Sequence, residues 1–394
     1  MSLDKRLGMR FLPYGANYLD WDDMTELRDA VRDRVLFRYQ RQPESCATRL
    51  EEHAARRLGA RHVLAVHNCT EALRLALVVT RPRIGDVVHI PAMTFVAVAG
   101  AVLSTGLVPV PVDIDENLSL DAGLLPADAQ RVIVAHMEGG LAEVPAHVPY
   151  VIEDAAQALG SRFPDGTHAG TKGFAGTFSF HHNKVLTSGE GGLVTTNDET
   201  AYSLMRSYHD HGSARQPGRY PVWNEDAFWG ENLVTSEEVA AIQLQQFRHL
   251  DEVLAGLQRH YDIMVAELPR RSDMRPLPRT AGEVKISVRL ELDSRELRDR
   301  AVATLTEQGV PNWTLDKYFL PAHPVLTGRR SLYADGFPWS FAPDTPETAG
   351  LSRDGFAATR ERLGRIVCLP LFPELSADEQ AVAAKNARAL LEQL

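Results

Sequence analysis

The chain has little cysteine, no long apolar run and a shortage of positive charge. Its three cysteines, Cys46, Cys69 and Cys368, are scattered and show no C-x-x-C spacing. That excludes a cysteine-held metal framework and a disulfide-stapled fold, and it fits a reducing compartment. The longest apolar stretch, Phe95 to Leu103, falls well short of the roughly 20 residues of a spanning helix. The opening residues, Met1-Ser-Leu-Asp-Lys-Arg, lack the apolar core of a signal peptide, so a cytoplasmic location without a membrane partner is expected. Lysine and arginine number 42 against 52 acids, a net charge of -10, which argues against a nucleic-acid partner. Internal repeats and low-complexity segments are missing too.

What remains is an ordinary globular composition, 44% hydrophobic and 24% charged over 394 residues, enough for two domains with their own cores. The pattern predicts an arm over 1–45, with a surface helix from Asp23 to Val35, then a large α/β domain over 46–250 and a smaller α+β domain over 251–394. In the large domain, short apolar runs predict strands at His62–Val66, Gly85–Pro91, Val108–Val112, Arg131–Ala135 and Val148–Asp154, alternating with helical segments. Several end on polar residues, as in a mostly parallel sheet with its site at the carboxyl edge. The segment 139–150, with Pro145 and Pro149, is expected to cross between strands with its helix reduced or lost. A capping box, Thr235-x-x-Glu238, predicts one long helix running to Tyr261. Glu283–Leu292 alternates strictly, the mark of a half-exposed antiparallel strand, and Ser376-x-x-Glu379 caps a final helix. The loop 213–233, rich in Gly, Pro, Trp and Tyr, is long enough to be functional. His209 and His211 are spaced poorly for chelation, and no metal site is expected.

The chain is organised around 176–196. An apolar run through Phe180 reads as a strand, a polar turn carries Lys184, and Gly189-Glu-Gly-Gly192 leads into a second strand. On composition alone, Lys184 reads first as a solvated loop lysine. Ser179 on one side and the glycine turn on the other place it beside a possible ligand, where an amine can condense with a carbonyl such as the aldehyde of pyridoxal 5′-phosphate. Such a cofactor requires a phosphate cradle, an acid against its ring nitrogen and a stacking face. Thr70, at a helix start, can offer a hydroxyl beside free N–H groups, although a plain N-cap explains it too. Phe95, at a helix start, is either a core aromatic or, since it follows a strand end, a ring that can stack on a ligand. Asp154, at the end of a buried strand, is either the ring-nitrogen partner or a helix cap.

With these residues in hand, the chain resembles the DegT/DnrJ/EryC1/StrS family of pyridoxal-phosphate-dependent aminotransferases of fold type I. The motifs are Glu153-Asp-Ala-Ala-Gln-Ala-Leu-Gly160, Phe178-Ser-Phe…Lys184-x-Leu-Thr-x-Gly-Glu-Gly-Gly192, Pro91-x-x-Thr-Phe-Val-Ala97 and Leu369-Pro-Leu-Phe-Pro373. The resemblance implies Lys184 as the cofactor-bonded, proton-moving lysine, Asp154 as the ring-nitrogen partner and Gln157 beside the ring oxygen. It implies Thr70, the Glu71 backbone and Ser179 as the phosphate cup and Phe95 as the stacking ring. Asn232 is implied to reach the neighbouring subunit's phosphate site in a homodimer. The chain departs from the family at Asn68-Cys69-Thr70, where Ser-Gly-Thr is usual, and at Glu138, Gly140 and His181-His182 near the expected substrate pocket.

The expected reaction is therefore transamination from an L-amino acid, glutamate or glutamine, to a ketone of a sugar, cyclitol or related ring. Dehydration of a sugar with the same cofactor is the alternative; in that branch a histidine replaces the lysine. A non-catalytic regulatory relative would keep the fold without the chemistry, and the intact lysine, acid and phosphate cup argue against it.

Overall fold

Alternating β-branched runs and alanine-leucine helices build a sheet covered by helices. The computed structural model describes residues 14–40, 45–213, 227–345, 348 and 353–394. Its larger sheet contains β1 (His62–Val66), β2 (Val87–Pro91), β3 (Val108–Val112), β4 (Arg131–Ala135), β5 (Tyr150–Asp154), β6 (Ala175–Ser179) and β7 (Gly192–Thr196). Their order is β1-β7-β6-β5-β4-β2-β3. Strand β7 runs antiparallel to both neighbours, and the remaining pairs are parallel. Six strands thus end on one edge, at Val66, Pro91, Val112, Ala135, Asp154 and Ser179. Pro109 and Pro111 lie in β3, at the sheet's end, the position where missing N–H groups cost no ladder bonds.

The helices on this part are α1 (Thr25–Arg32), α2 (Cys46–Leu58), α3 (Cys69–Val78), α4 (Val96–Ser104), α5 (Glu199–Tyr208) and α6 (Glu237–Phe247). Helix α2 stops at Gly59, whose φ of 69° is the left-handed C-cap that glycine adopts without strain. Helix α4 is almost wholly apolar and buries Val98, Ala99, Ala101 and Val102 against the layer beneath. Between β4 and β5 the chain makes only a 3₁₀ turn, Met137–Gly139. The shortened crossover is therefore real, and Val144, Ala142 and Val148 cover the strands in a helix's place.

The smaller sheet, in the order β10-β11-β9-β8, is antiparallel throughout: β8 (Met274–Pro276), β9 (Ser287–Leu292), β10 (Trp313–Thr314) and β11 (Ile366–Pro370). Around it lie α7 (Leu250–Glu267), α8 (Arg295–Glu307), α10 (Ala357–Leu363) and α11 (Ala377–Leu391), while the short α9 (Pro324–Thr327) packs Leu326 into the core of the larger sheet. The predicted capping box opens α11, with Ser376 and Glu379 bonded reciprocally. One apolar cluster runs from β1 and β6 through α2, α6 and α7 to β9 and β11.

Three expectations change. The helix predicted from Thr235 is two helices, because i→i+3 bonds at Arg248 and His249 tighten the chain between α6 and α7, and its N-cap is Ser236, which accepts from Val239 N–H. Strand β9 is buried on both faces: Val288, Leu290 and Leu292 join the core, while Ser287 and Arg289, read as the solvent face, are buried as well. The arm is built in where it is described: Tyr14 is buried and donates to Ile286 O at 2.8 Å, and Arg38 forms a two-bond ion pair with buried Glu51, which also accepts from Ala65 N–H of β1. Most of the long loop noted at 213–233, residues 214–226, lies outside the described residues.

Candidate active site

Each polar end of the parallel strands is set by the strand's alternation. At the end of β5 two adjacent acids face opposite ways. Glu153 bonds His136 Nε2 at 2.9 Å and accepts from the N–H groups of Gly170, Lys172 and Gly173. Burial pushes its pKa up, but His136 and those N–H groups outweigh it and the net shift is downward. His136 Nδ1 accepts from Ala142 N–H at 3.0 Å, so Nε2 carries the proton given to Glu153. Glu153 is thus fully occupied in holding the loop 170–173.

Asp154 faces the other way. Oδ1 accepts from Ala156 N–H at 3.0 Å and from the Cys69 thiol at 3.8 Å. Burial raises its pKa, opposed by the Ala156 N–H, the charge of Lys184 and His136. The Cys69 thiol is in turn pushed up by burial and by Asp154, so it stays a protonated donor.

Helix α3 begins beside this acid. Its N-cap is Asn68, whose side chain accepts from Glu71 N–H at 3.0 Å. Thr70 is therefore in the first turn and is not the cap. The Glu71 N–H, expected in the phosphate cup, is already taken, whereas the N–H groups of Cys69 and Thr70 have no acceptor among the described residues. They stand where the helix dipole favours an anion. Gly192 brings β7 against this turn: a Cβ there would lie 2.4 Å from Asn68 C and 2.8 Å from Cys69 N. Its partner across β6–β7 is Ser179, buried, with Oγ accepting from His181 N–H at 3.2 Å.

Lys184 sits in the β6–β7 connection. Its backbone is fixed by Lys184 N–H to His181 O at 3.0 Å and by Gly15 N–H to Lys184 O at 3.3 Å. Among the described residues its Nζ has no ion pair, and its charge acts on Asp154 and Cys69. It opens into a cavity of about 370 Å³ with Glu138, Gln157, Asn183, Trp313 and Tyr318.

The geometry brings Lys184, Asp154 and Cys69 together, and sets Gln157 in the same cavity with Oε1 accepting from Glu138 N–H at 2.8 Å. Thr70 and Ser179 lie on the two segments that Gly192 joins. Phe95 stands at the end of β2 with 55% of its surface open, ahead of α4. Asn232 is exposed, accepts from Val234 N–H and lies away from the cavity lining. His181 and His182 contact each other and are not among the residues lining the cavity. Residues that sequence reasoning did not assign to the site are Tyr14, Trp313, Lys317 and Tyr318; the aromatic density of 313–319 was the only signal for the last three.

This donor set suits pyridoxal phosphate: two open N–H groups and two hydroxyls for a phosphate, a buried acid for a ring nitrogen, and an unpaired lysine for an aldehyde. A family model described as the DegT/DnrJ/EryC1/StrS aminotransferase family matches residues 25–386. The chain is similar to the GDP-perosamine synthase of Caulobacter vibrioides, 33% identical over 64% of this chain and 71% of the relative. It is similar to the L-glutamine:2-deoxy-scyllo-inosose aminotransferase of Streptoalloteichus tenebrarius, 32% identical over 61% of this chain and 60% of the relative. In fold it matches the crystal structure of 3-amino-5-hydroxybenzoic acid synthase with a TM-score of 0.78 and 24% identity, covering 95% of this chain and 97% of that one.

Proposed function

The chain belongs to the DegT/DnrJ/EryC1/StrS aminotransferase family, and from that premise we propose that it carries an amino group from L-glutamine or L-glutamate to a ketone of a sugar, cyclitol or related ring. Aminotransfer and pyridoxal 5′-phosphate come with the family. The glutamine donor is supported by the Streptoalloteichus tenebrarius relative, an L-glutamine:2-deoxy-scyllo-inosose aminotransferase. The bound cofactor supplies an aldehyde that takes the amino group and a ring that draws electrons from the reacting carbon.

The chain's own residues do the rest. Lys184 Nζ takes the α-proton of the donor and later delivers a proton to the ketone carbon of the acceptor. The donor leaves as its 2-oxo acid and the ketone oxygen as water. Asp154 holds the proton of the ring nitrogen, and its buried position strengthens that bond. Thr70, Ser179 and the N–H groups of Cys69 and Thr70 bind phosphate, with Glu71 contributing position more than its N–H. Gln157 keeps Nε2 as a donor to the ring oxygen, and Phe95 covers the ring face. Asn232 serves the partner subunit of a homodimer. The large unit over 46–250 carries the cofactor and the small unit over 251–394 closes the substrate side.

The observation that carries this reading is the meeting of an unpaired Lys184 with a buried Asp154 beside two open helix N–H groups. Lysine at 184 also weighs against the dehydratase alternative. The test is the visible spectrum of the protein with pyridoxal phosphate, then with L-glutamine or L-glutamate and no acceptor. A lysine-bound cofactor band that Lys184→Ala lacks, and that a donor bleaches, is expected. A band that no amino acid bleaches rules out transamination from these donors.

A further inference from the structure

We propose that Glu138 is the acceptor-recognising group of this site, receiving hydroxyl or ammonium hydrogens of the ring to be aminated and disfavouring rings that carry an anionic group there. The inference rests on the aminotransferase reading above and deepens it.

Glu138 lines the same cavity as Lys184 and is 2% exposed. A carboxylate offers about four acceptor positions, and a buried one is costly unless they are met. Glu153, the comparable buried acid, is met by four donors. The Glu138 carboxylate has one among the described residues, Ser287 Oγ at 2.8 Å. Among the described residues its carboxylate is not within ion-pair distance of any cation. Arg279 pairs with Glu283 and reaches Glu138 only at its carbonyl, at 2.8 Å. Arg289, 4% exposed on the Ser287 face of β9, feels the charges of Glu283 and Glu138 but forms no ion pair with Glu138 among the described residues. The cations lining the cavity are Lys184 and Lys317, and Lys317 Nζ lies 4.9 Å over the Tyr318 ring. Tyr14, beside it, already donates to Ile286 O. Glu138 is therefore the strong acceptor left to a ligand at this end, between the apolar Ile286, Pro311 and Trp313.

The backbone is set for this. Glu138 has φ 54° and ψ 30°, a left-handed conformation that is strained for a residue with a Cβ. It is held there from both sides, N–H to Gln157 Oε1 and C=O from Arg279 Nη2. Gly139 follows at φ 75°, where a Cβ would meet Val284 O at 2.0 Å. Strain kept in place by such a clamp at a cavity wall is the usual sign of a side chain being aimed.

The test uses the holoenzyme, Glu138→Gln and Glu138→Ala. Calorimetric titration compares a neutral inositol with 3-hydroxybenzoate, and the donor half-reaction is followed spectroscopically without acceptor. The unaltered protein is expected to bind the inositol in preference. Both variants should bind it about 10- to 100-fold more weakly, as loss of a buried charged acceptor does, Glu138→Gln should gain affinity for the benzoate, and the donor half-reaction should stay within about twofold. An unchanged preference, an equal loss for both probes, or a donor half-reaction that falls in step with acceptor binding overturns the proposal. If the unaltered protein accepts no donor yet shows the Glu138-dependent preference, the aminotransferase reading fails while hydroxyl recognition stands.

Discussion

Asp154 shows how much one carboxyl's surroundings decide. It is buried, and its raised pKa means that the folded chain holds more protons than the unfolded one between the ordinary aspartate value and the folded value. Stability of the cofactor-free chain therefore falls as pH rises through that window, and the loss persists at neutral pH. Asp154→Asn removes the charge and keeps an acceptor for Ala156 N–H. The cofactor-free variant is expected to melt higher at pH 7, by roughly 1 °C for each kcal/mol regained in a chain of 394 residues, with a flatter pH profile, while cofactor affinity drops. Calorimetric melts from pH 4 to 8 check this; a lower melting temperature at neutral pH would mean that Lys184 and the N–H bond already favour the ionised form over its burial.

At the scale of elements, the start of α3 and the β6–β7 connection form one unit because Gly192 lets them touch. Gly192→Ala would set a methyl against Asn68 C and Cys69 N, atoms that cannot move without tilting the helix start. An affinity for pyridoxal phosphate at least tenfold lower is expected by fluorescence titration, with far-ultraviolet circular dichroism unchanged; unaltered affinity would show that the phosphate does not use this turn. The strand–turn–strand around Lys184, the acid ending β5 and the cap at Ser376 were legible, since each depends on residues near in sequence. What escaped is non-local. Ser287 and Arg289 read as a solvent face because alternation reports polarity, and here polar side chains turn inward beneath a cavity. Tyr14 reaches that cavity from the far end of the chain, and nothing in its own neighbourhood announces it. The break at Arg248–His249 has neither proline nor glycine, so the apolar spacing ran straight across it.

For the whole molecule, the exposed Asn232 and the open face of Phe95 match a chain whose site is completed by a second copy. Mixed refolding of Lys184→Ala with Asn232→Ala tests it. In a mixed dimer both lesions fall in one site and the other is intact, so random pairing should restore about a quarter of the parental activity from two nearly inactive variants. No recovery, with dimers confirmed by sedimentation, would place Asn232 outside the partner's site. The turn at Glu138 has a different consequence. Gln157 and Arg279 grip the peptide groups around residue 138 and leave the side chain alone, so whichever residue stands there inherits the same direction into the cavity. Natural drift or a saturation library at this single codon can thus exchange one acceptor preference for another while the chemistry at Lys184 and the surrounding scaffold are left as they were.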